Sequence, residues 1–224
     1  MKKSILIIAA AATLTACCNN QTQTRTEMKM TDEITLVAPR EKGGLSVNEA
    51  LALRQSSREY SAEKLSLEEV SEVLWAAAGT NRSDGKLTAP SALALYPIEV
   101  YAFFEEGVYR YNSAEHKLTL VAQGDHRQLA AMQDFAFAAP LNLVYVANYA
   151  KYTGREADIP ADRRWFLCGQ DAAGYAENVN LYCAANGLKS ITRGSYKADQ
   201  LLQILGLDPE EHEIILAQTV GKIV

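Results

Sequence analysis

Apolar and polar positions change period several times along this chain, and each change marks an element. Ser46-Val47-Asn48-Glu49 puts Ser at an N-cap with Glu three residues on, a capping box, and Ala50, Leu51 and Leu53 follow. A short helix running to about Arg54 is predicted. Ser66-Leu67-Glu68-Glu69 repeats the device, and Val70, Val73, Leu74 and Ala77 then fall at helical spacing up to a Gly79 stop. Thr80 to Ala89 is polar and reads as a loop. Pro97 to Phe104, Val108 to Tyr111 and Lys117 to Val121 read as the strands of a β-meander, with turns at Glu105-Glu106-Gly107 and Asn112 to Glu115. Gln128 to Ala138 is predicted to be helical. Leu141 to Ala147 is nearly all apolar, as in a strand buried on both faces. Ala161 to Asn186 reads as one long helix, unusually small-sided at Gly169, Ala172, Ala173, Gly174 and Ala176. Each interior Gly costs about 1 kcal/mol against Ala, so close packing on another helix or subunit is expected there. Lys197 to Leu205 gives a last helix and Glu213 to Val220 a last strand. Helices and strands interleave without strict βαβ alternation, so the fold class is α+β.

Composition refines this picture. The 224 residues are 48% hydrophobic, enough for a sizeable core in one domain. A formal charge of −5 argues against the basic face of a nucleic-acid binder. The first residues differ from the rest: Lys2 and Lys3 precede a short apolar stretch, and Leu14-Thr15-Ala16-Cys17 matches a lipoprotein cleavage box. The expected organisation is a signal peptide over 1–16, a flexible tether over 17–32 and a domain over 33–224. Cys17 would be lipidated, anchoring an exported protein to a bacterial membrane facing the periplasm, with no other membrane contact. Cys168 and Cys183 have no CxxC partners and read as two buried thiols in preference to a disulfide. The three histidines form no ligand cluster, so no metal is expected.

Arg54-Gln55-Ser56-Ser57-Arg58 lies just past a helix end. If the segment is extended, positions 54, 56 and 58 share a side. Two guanidinium forks and a hydroxyl would then form a receptor for a phosphate or other oxyanion. On spacing alone, a solvated turn is the commoner meaning of so short a motif. Ser61-Ala62-Glu63-Lys64 fits S-x-x-K, but no S-D-N or K-T-G accompanies it, so the match is chance.

Three further segments change that balance. Tyr60 ends the run; Thr88-Ala89-Pro90-Ser91-Ala92-Leu93-Ala94-Leu95-Tyr96-Pro97 leads into the first meander strand; and Gly187-Leu188-Lys189-Ser190-Ile191-Thr192-Arg193-Gly194 follows the long helix. Their order resembles the nitroreductase superfamily, nearest the branch containing the azoline dehydrogenases, over about Leu45 to Val224. The resemblance implies a central mixed or antiparallel sheet flanked by helices, with FMN sites at a homodimer interface. It implies that Arg54 and Ser56, with Gln55 between them, take the FMN phosphate, and that Arg58 lies near N1 and O2 of the flavin. Pro90, Ser91 and Ala92 would come from the neighbouring subunit. Gln133 would bond the flavin's polar edge, Arg193-Gly194 would present a backbone N–H to N5, and Lys222 would complete the phosphate site. The flavin carries the chemistry, so no catalytic side chain is assigned.

The implied activity is a ping-pong transfer of electrons through flavin N5 to a small acceptor such as a nitroaromatic or quinone. NAD(P)H is the family's donor, and the lack of a G-x-G-x-x-G motif fits a nicotinamide stacking on the flavin. Two departures stand out. Family members often carry Glu where Arg193 stands. Their C-terminal arm has no counterpart here, and Ile34 to Pro39 could serve as an exchanged arm instead. Export also separates the domain from cytoplasmic NAD(P)H. The alternative is therefore an exported flavin-binding or electron-transfer lipoprotein without small-substrate turnover.

Overall fold

The computed structural model describes residues 26–40 and 42–223. The signal segment and Cys17 lie outside the described residues. In chain order the elements are β1 (Glu33–Thr35), α1 (Val47–Leu53), α2 (Leu67–Ala78), β2 (Ile98–Phe103), β3 (Gly107–Asn112), β4 (Lys117–Gln123), α3 (Asp134–Ala138), β5 (Leu141–Asn148), α4 (Ala161–Ala185), β6 (Lys189–Arg193), α5 (Ala198–Leu205) and β7 (His212–Gly221). The seven strands form one sheet in the order β1-β4-β3-β2-β5-β7-β6, and every strand pair is antiparallel.

Both capping boxes form as the spacing requires. Ser46 and Ser66 each accept from the N–H three residues on, and Glu49 and Glu69 each reach back to the cap N–H. β5 is the middle of the fold, with Leu141 to Ala147 buried. Its alternation sorts two cores. Leu141, Leu143, Tyr145 and Ala147 face the layer built on α2 and α4, while Val144 and Val146 face the layer under α5. Burying both faces of a strand removes it wholly from water, which is why no polar alternation appears in its sequence.

The structure bears on four expectations. Only Asp134–Ala138 is helical in the stretch 128–138. Its residues instead follow the needs of neighbours, since Asn142 Nδ2 and Arg193 draw on the carbonyls of Ala136 and Ala130. Residues 26–32, assigned to the tether, lie on the domain: Met28 and Met30 pack on the core and Leu67 N–H bonds Thr26 O at 3.0 Å. Ile34, placed in a candidate exchanged arm, lies in β1, which here pairs with β4 of its own chain. Within the described chain, no neighbouring helix packs against the glycines of α4. A Cβ at Gly169 or Gly174 would meet nothing within 4 Å among the described residues. Cys168 and Cys183 are free and buried.

Candidate functional site

β6 is an edge strand of the sheet, and the sequence pattern assigns residues 189–192 no element. Five residues of mixed polarity, Lys-Ser-Ile-Thr-Arg, carry little strand signal alone. Its pairing with β7 supplies the missing support, with Ser190 opposite Val220 and Arg193 opposite Ala217. Ser190 and Thr192 turn to α4, where Asn180 takes Ser190 Oγ at 2.8 Å and Gln218 Nε2 at 2.8 Å. Tyr145 O–H in turn donates to Gln218 Oε1 at 2.5 Å. Ser190, Asn180, Gln218 and Tyr145 thereby satisfy one another, which fixes α4 against the sheet.

The Arg54 to Arg58 strip attaches to the free edge of β6. Ser56 bridges Ser190 in the parallel sense, and Ser57 N–H donates to Ser190 O at 3.0 Å. The chain then turns, so that Tyr60 O–H donates to Ser57 O at 2.8 Å and its ring stacks on Phe135. Tyr60 and Pro140 press on Gly221, where an added Cβ would lie 2.8 Å from the Tyr60 ring. The strip is thus held from below by tight packing while its side chains stay in water. Arg54, Gln55, Ser56 and Arg58 are exposed. Among the described residues no carboxylate pairs with Arg54 or Arg58. Their donors remain available to an oxyanion.

Gly194 follows directly on β6. It is exposed, its backbone has no positive φ, and a Cβ there would meet nothing within 4 Å. Nothing inside the chain demands glycine at this position. Open approach from outside is what glycine provides. Gly194 is 194 − 190 = 4 residues beyond Ser190, roughly 13 Å at the strand rise. The exposed donors of the strip and the open backbone of the turn thus lie along the same edge of the sheet.

Beneath that turn sits Arg193, 6% exposed. Its Nε donates to Thr219 Oγ1 at 3.0 Å, one Nη to Ala130 O at 2.7 Å and to Ser195 O at 3.3 Å, and the other to Asn142 Oδ1 at 2.9 Å. Thr219 O–H also donates to Asn142 Oδ1 at 2.6 Å. Burial pulls the guanidinium pKa down to about 10, with Tyr60 opposing, so it stays cationic at neutral pH. Gln133 stands just ahead of α3, outside the helix, and its amide exchanges bonds with Ser195 Oγ at 2.7 and 3.1 Å. Asn142, Thr219 and Ser195 were not singled out from sequence. Asn142 did carry a signal, as the one amide in the apolar run Leu141 to Ala147.

Two expected members lie elsewhere. Lys222 directs its ammonium to Glu63 and, at 3.3 Å, to Glu69. It is neutralised there and does not extend the strip. Pro90-Ser91-Ala92 is anchored on α4: Asp171 accepts from Ser91 O–H at 2.5 Å and from Ala92 N–H at 2.9 Å. Asp171 is 180 − 171 = 9 residues from Asn180, roughly 14 Å along the helix. The segment thus lies apart from the strip within one chain. Its continuation is strained: Leu93, Ala94 and Tyr96 have φ of 57°, 55° and 48°. Left-handed backbone costs about 1–2 kcal/mol per non-glycine residue. Leu93 is 60% exposed. Strain of this kind clusters at functional segments.

Other concavities do not involve the strip. One of about 360 Å³ is lined by Arg40, Ser66, Glu72 and Tyr182, and one of about 610 Å³ by Tyr96, Glu99, Arg110 and Lys151. Among the described residues no group of three or more His, Cys, Asp or Glu could hold a metal, and no helix is long and apolar enough to cross a membrane.

Comparison with known proteins places these features. The nitroreductase family profile matches residues 51–222. A Methanocaldococcus jannaschii protein described as a "putative nitroreductase" is 31% identical over 189 residues, covering 80% of this chain and 92% of that one. A similarly described structure from Ralstonia eutropha JMP134 is 38% identical with a TM-score of 0.79, over 89% of this chain and 94% of that one. A third, from Desulfovibrio desulfuricans in complex with FMN, shares the fold at 21% identity and a TM-score of 0.56, over 80% and 86% of the two chains.

Proposed function

Because the chain belongs to the nitroreductase family, we propose that it is an FMN-dependent oxidoreductase acting on a small conjugated acceptor such as a nitroaromatic or quinone. The observation that carries this reading is the pair of arginines, Arg54 and Arg58, that meet no carboxylate among the described residues, on a strip bonded to the strand that ends at the open Gly194 turn. Bound there, FMN would supply two-electron chemistry at N5.

The chain's own residues do the rest. Arg54 and Ser56 hold the phosphate by charge-assisted bonds, and Arg58 lies towards N1 and O2 of the ring. Gln55 lies between them and supplies backbone to the same edge. Gly194 lets its N–H and the ring approach closely. Gln133, now bonded to Ser195, can turn an amide to the ring's polar edge. Lys222 is assigned to stabilising the start of α2 through Glu69, not to the phosphate.

The site is completed by a second copy of the chain. Pro90, Ser91 and Ala92 lie too far from the strip to close it in one chain, and from a partner they would cover the ring. The open face along Gly169 and Gly174, together with exposed Leu51 and Leu53 at 56% and 55%, offers surface for a homodimer. Cys17, if lipidated, would tether this dimer to a bacterial membrane on the exported side.

NAD(P)H is the donor expected of the family, whereas the signal segment favours a second reading, an exported electron-transfer flavoprotein without small-substrate turnover. Absorbance of the purified protein separates the two. The enzyme reading expects a flavin spectrum bleached by NADPH or NADH and restored by a quinone. A flavin spectrum bleached only by an artificial reductant supports the second reading. Protein that stays colourless after incubation with FMN overturns both.

A further inference from the structure

Arg193 carries a buried positive charge that no carboxylate offsets among the described residues. All of its partners are neutral oxygens: Thr219 Oγ1, Asn142 Oδ1 and the carbonyls of Ala130 and Ser195. Those bonds satisfy its N–H groups but cancel none of its charge. The pattern contrasts with other arginines of this chain. Arg40 meets Glu72, Arg110 meets Glu99, and Arg127 meets Asp125. The surrounding groups come from four separated stretches, near Ala130, Asn142, Ser195 and Thr219, so the cation sits where the α3 loop, β5, β6 and β7 converge. Arg193 is also the residue directly before Gly194.

We infer that Arg193 is a positioning residue that sets the reduction potential of the flavin: its uncompensated charge beneath the Gly194 turn stabilises the anionic reduced form and makes the cofactor a stronger electron acceptor. The inference rests on the FMN reading given above. Taking up two electrons and one proton at N5 leaves a net negative charge spread over N1 and O2. A fixed cation in a poorly solvated floor attracts that charge through a medium of low effective dielectric. Because the charge is buried, added salt screens it little. In the oxidised state the ring is neutral and gains little from it. The effect therefore falls on one redox state, which is what moves a potential. Arg193 does not touch the reacting atoms, since its side chain points into the floor and away from the exposed face.

The test uses full-length protein saturated with FMN, with midpoint potentials read by equilibration against redox dyes. Arg193→Met removes the charge. Asn142→Asp keeps the arginine and places a carboxylate 2.9 Å from its Nη, where the amide oxygen now stands, so the charge is cancelled without deleting the clamp. Arg193→Lys keeps the charge and loses most of the bonds. The expected result is a two-electron equilibrium shifted about tenfold towards the oxidised form in Arg193→Met and Asn142→Asp, ~30 mV for this couple. Arg193→Lys should stay near wild type in potential while losing thermal stability. A role confined to structure would order the variants by stability instead, with Arg193→Lys displaced and Asn142→Asp alike in potential to wild type. Wild-type potential in Asn142→Asp overturns the inference even if Arg193→Met fails to fold. Absence of any flavin uptake by the wild-type chain is a separate result, and it would overturn the FMN reading itself.

Discussion

Two groups of arginines lie within a few residues of one strand and are used in opposite ways. On the rim, Arg54 and Arg58 are exposed, tied to β6 only through backbone, and free of carboxylates among the described residues. In the floor, Arg193 is 6% exposed and fully engaged by neutral oxygens. The difference lies in what each can still do. A rim arginine has donors to give and loses little if removed from the empty protein. The floor arginine has none to give, and its removal strands several buried acceptors. Ligand affinity should therefore follow the rim, and stability the floor.

The largest effect should fall on the floor. Arg193→Met removes the buried donor to Ala130 O and one donor each from Thr219 Oγ1 and Asn142 Oδ1, and a buried group left unsatisfied costs roughly 1–3 kcal/mol. Urea unfolding should show a loss of about 3 kcal/mol or more; a loss below 1 kcal/mol would erase the contrast between floor and rim. Next comes the rim. Arg54→Ala should weaken FMN binding by about 1.5–3 kcal/mol, the range for a charge-assisted bond, and leave the unfolding midpoint unchanged. Tyr60→Phe sharpens the boundary between the two. It deletes only the bond to Ser57 O, worth about 1 kcal/mol, and should lower stability and FMN affinity together because Tyr60 holds the rim onto the floor.

The smallest effect concerns the third region, the Pro90-Ser91-Ala92 segment. Burial raises the Asp171 carboxyl above its ordinary value, against the lowering effect of its bonds to Ser91 and Ala92. A carboxyl with a raised pKa in the folded state binds its proton more tightly there than when unfolded. Its stabilising contribution is present below the ordinary value of about 3.9 and is lost as pH rises through the folded value. Asp171→Asn should flatten the fall in stability across that window, read by thermal melts at stepped pH. An unchanged pH profile would remove Asp171 as the source.

Much of this was legible in the sequence, for local reasons. Capping boxes at Ser46 and Ser66 depend on residues three apart, and the β5 strand announces itself as an apolar run. α4 showed its length but not why it tolerates Gly169 and Gly174. What stayed hidden depends on distant partners. β6 is a strand because β7 pairs with it. Arg193 turns inward because Ala130, Asn142 and Thr219 wait there, and nothing near position 193 says so. Lys222 looked like a phosphate ligand until Glu63 and Glu69 were brought against it by the fold. Ahead of Asp134 the 128–138 stretch is not helical, and its Ala130 carbonyl serves Arg193. The family resemblance located the strip and the turn; it did not separate rim from floor.

The central claim is that Arg54 and Ser56 take the phosphate of FMN. It is tested most directly by comparing the affinities of FMN and riboflavin, which differ by that phosphate, in wild type and in the Arg54→Ala, Ser56→Ala double variant. Quenching of flavin fluorescence on titration gives all four values. The account predicts that wild type prefers FMN strongly and that the double variant loses most of this preference while riboflavin binds both proteins nearly equally. An undiminished preference for FMN in the double variant would contradict it.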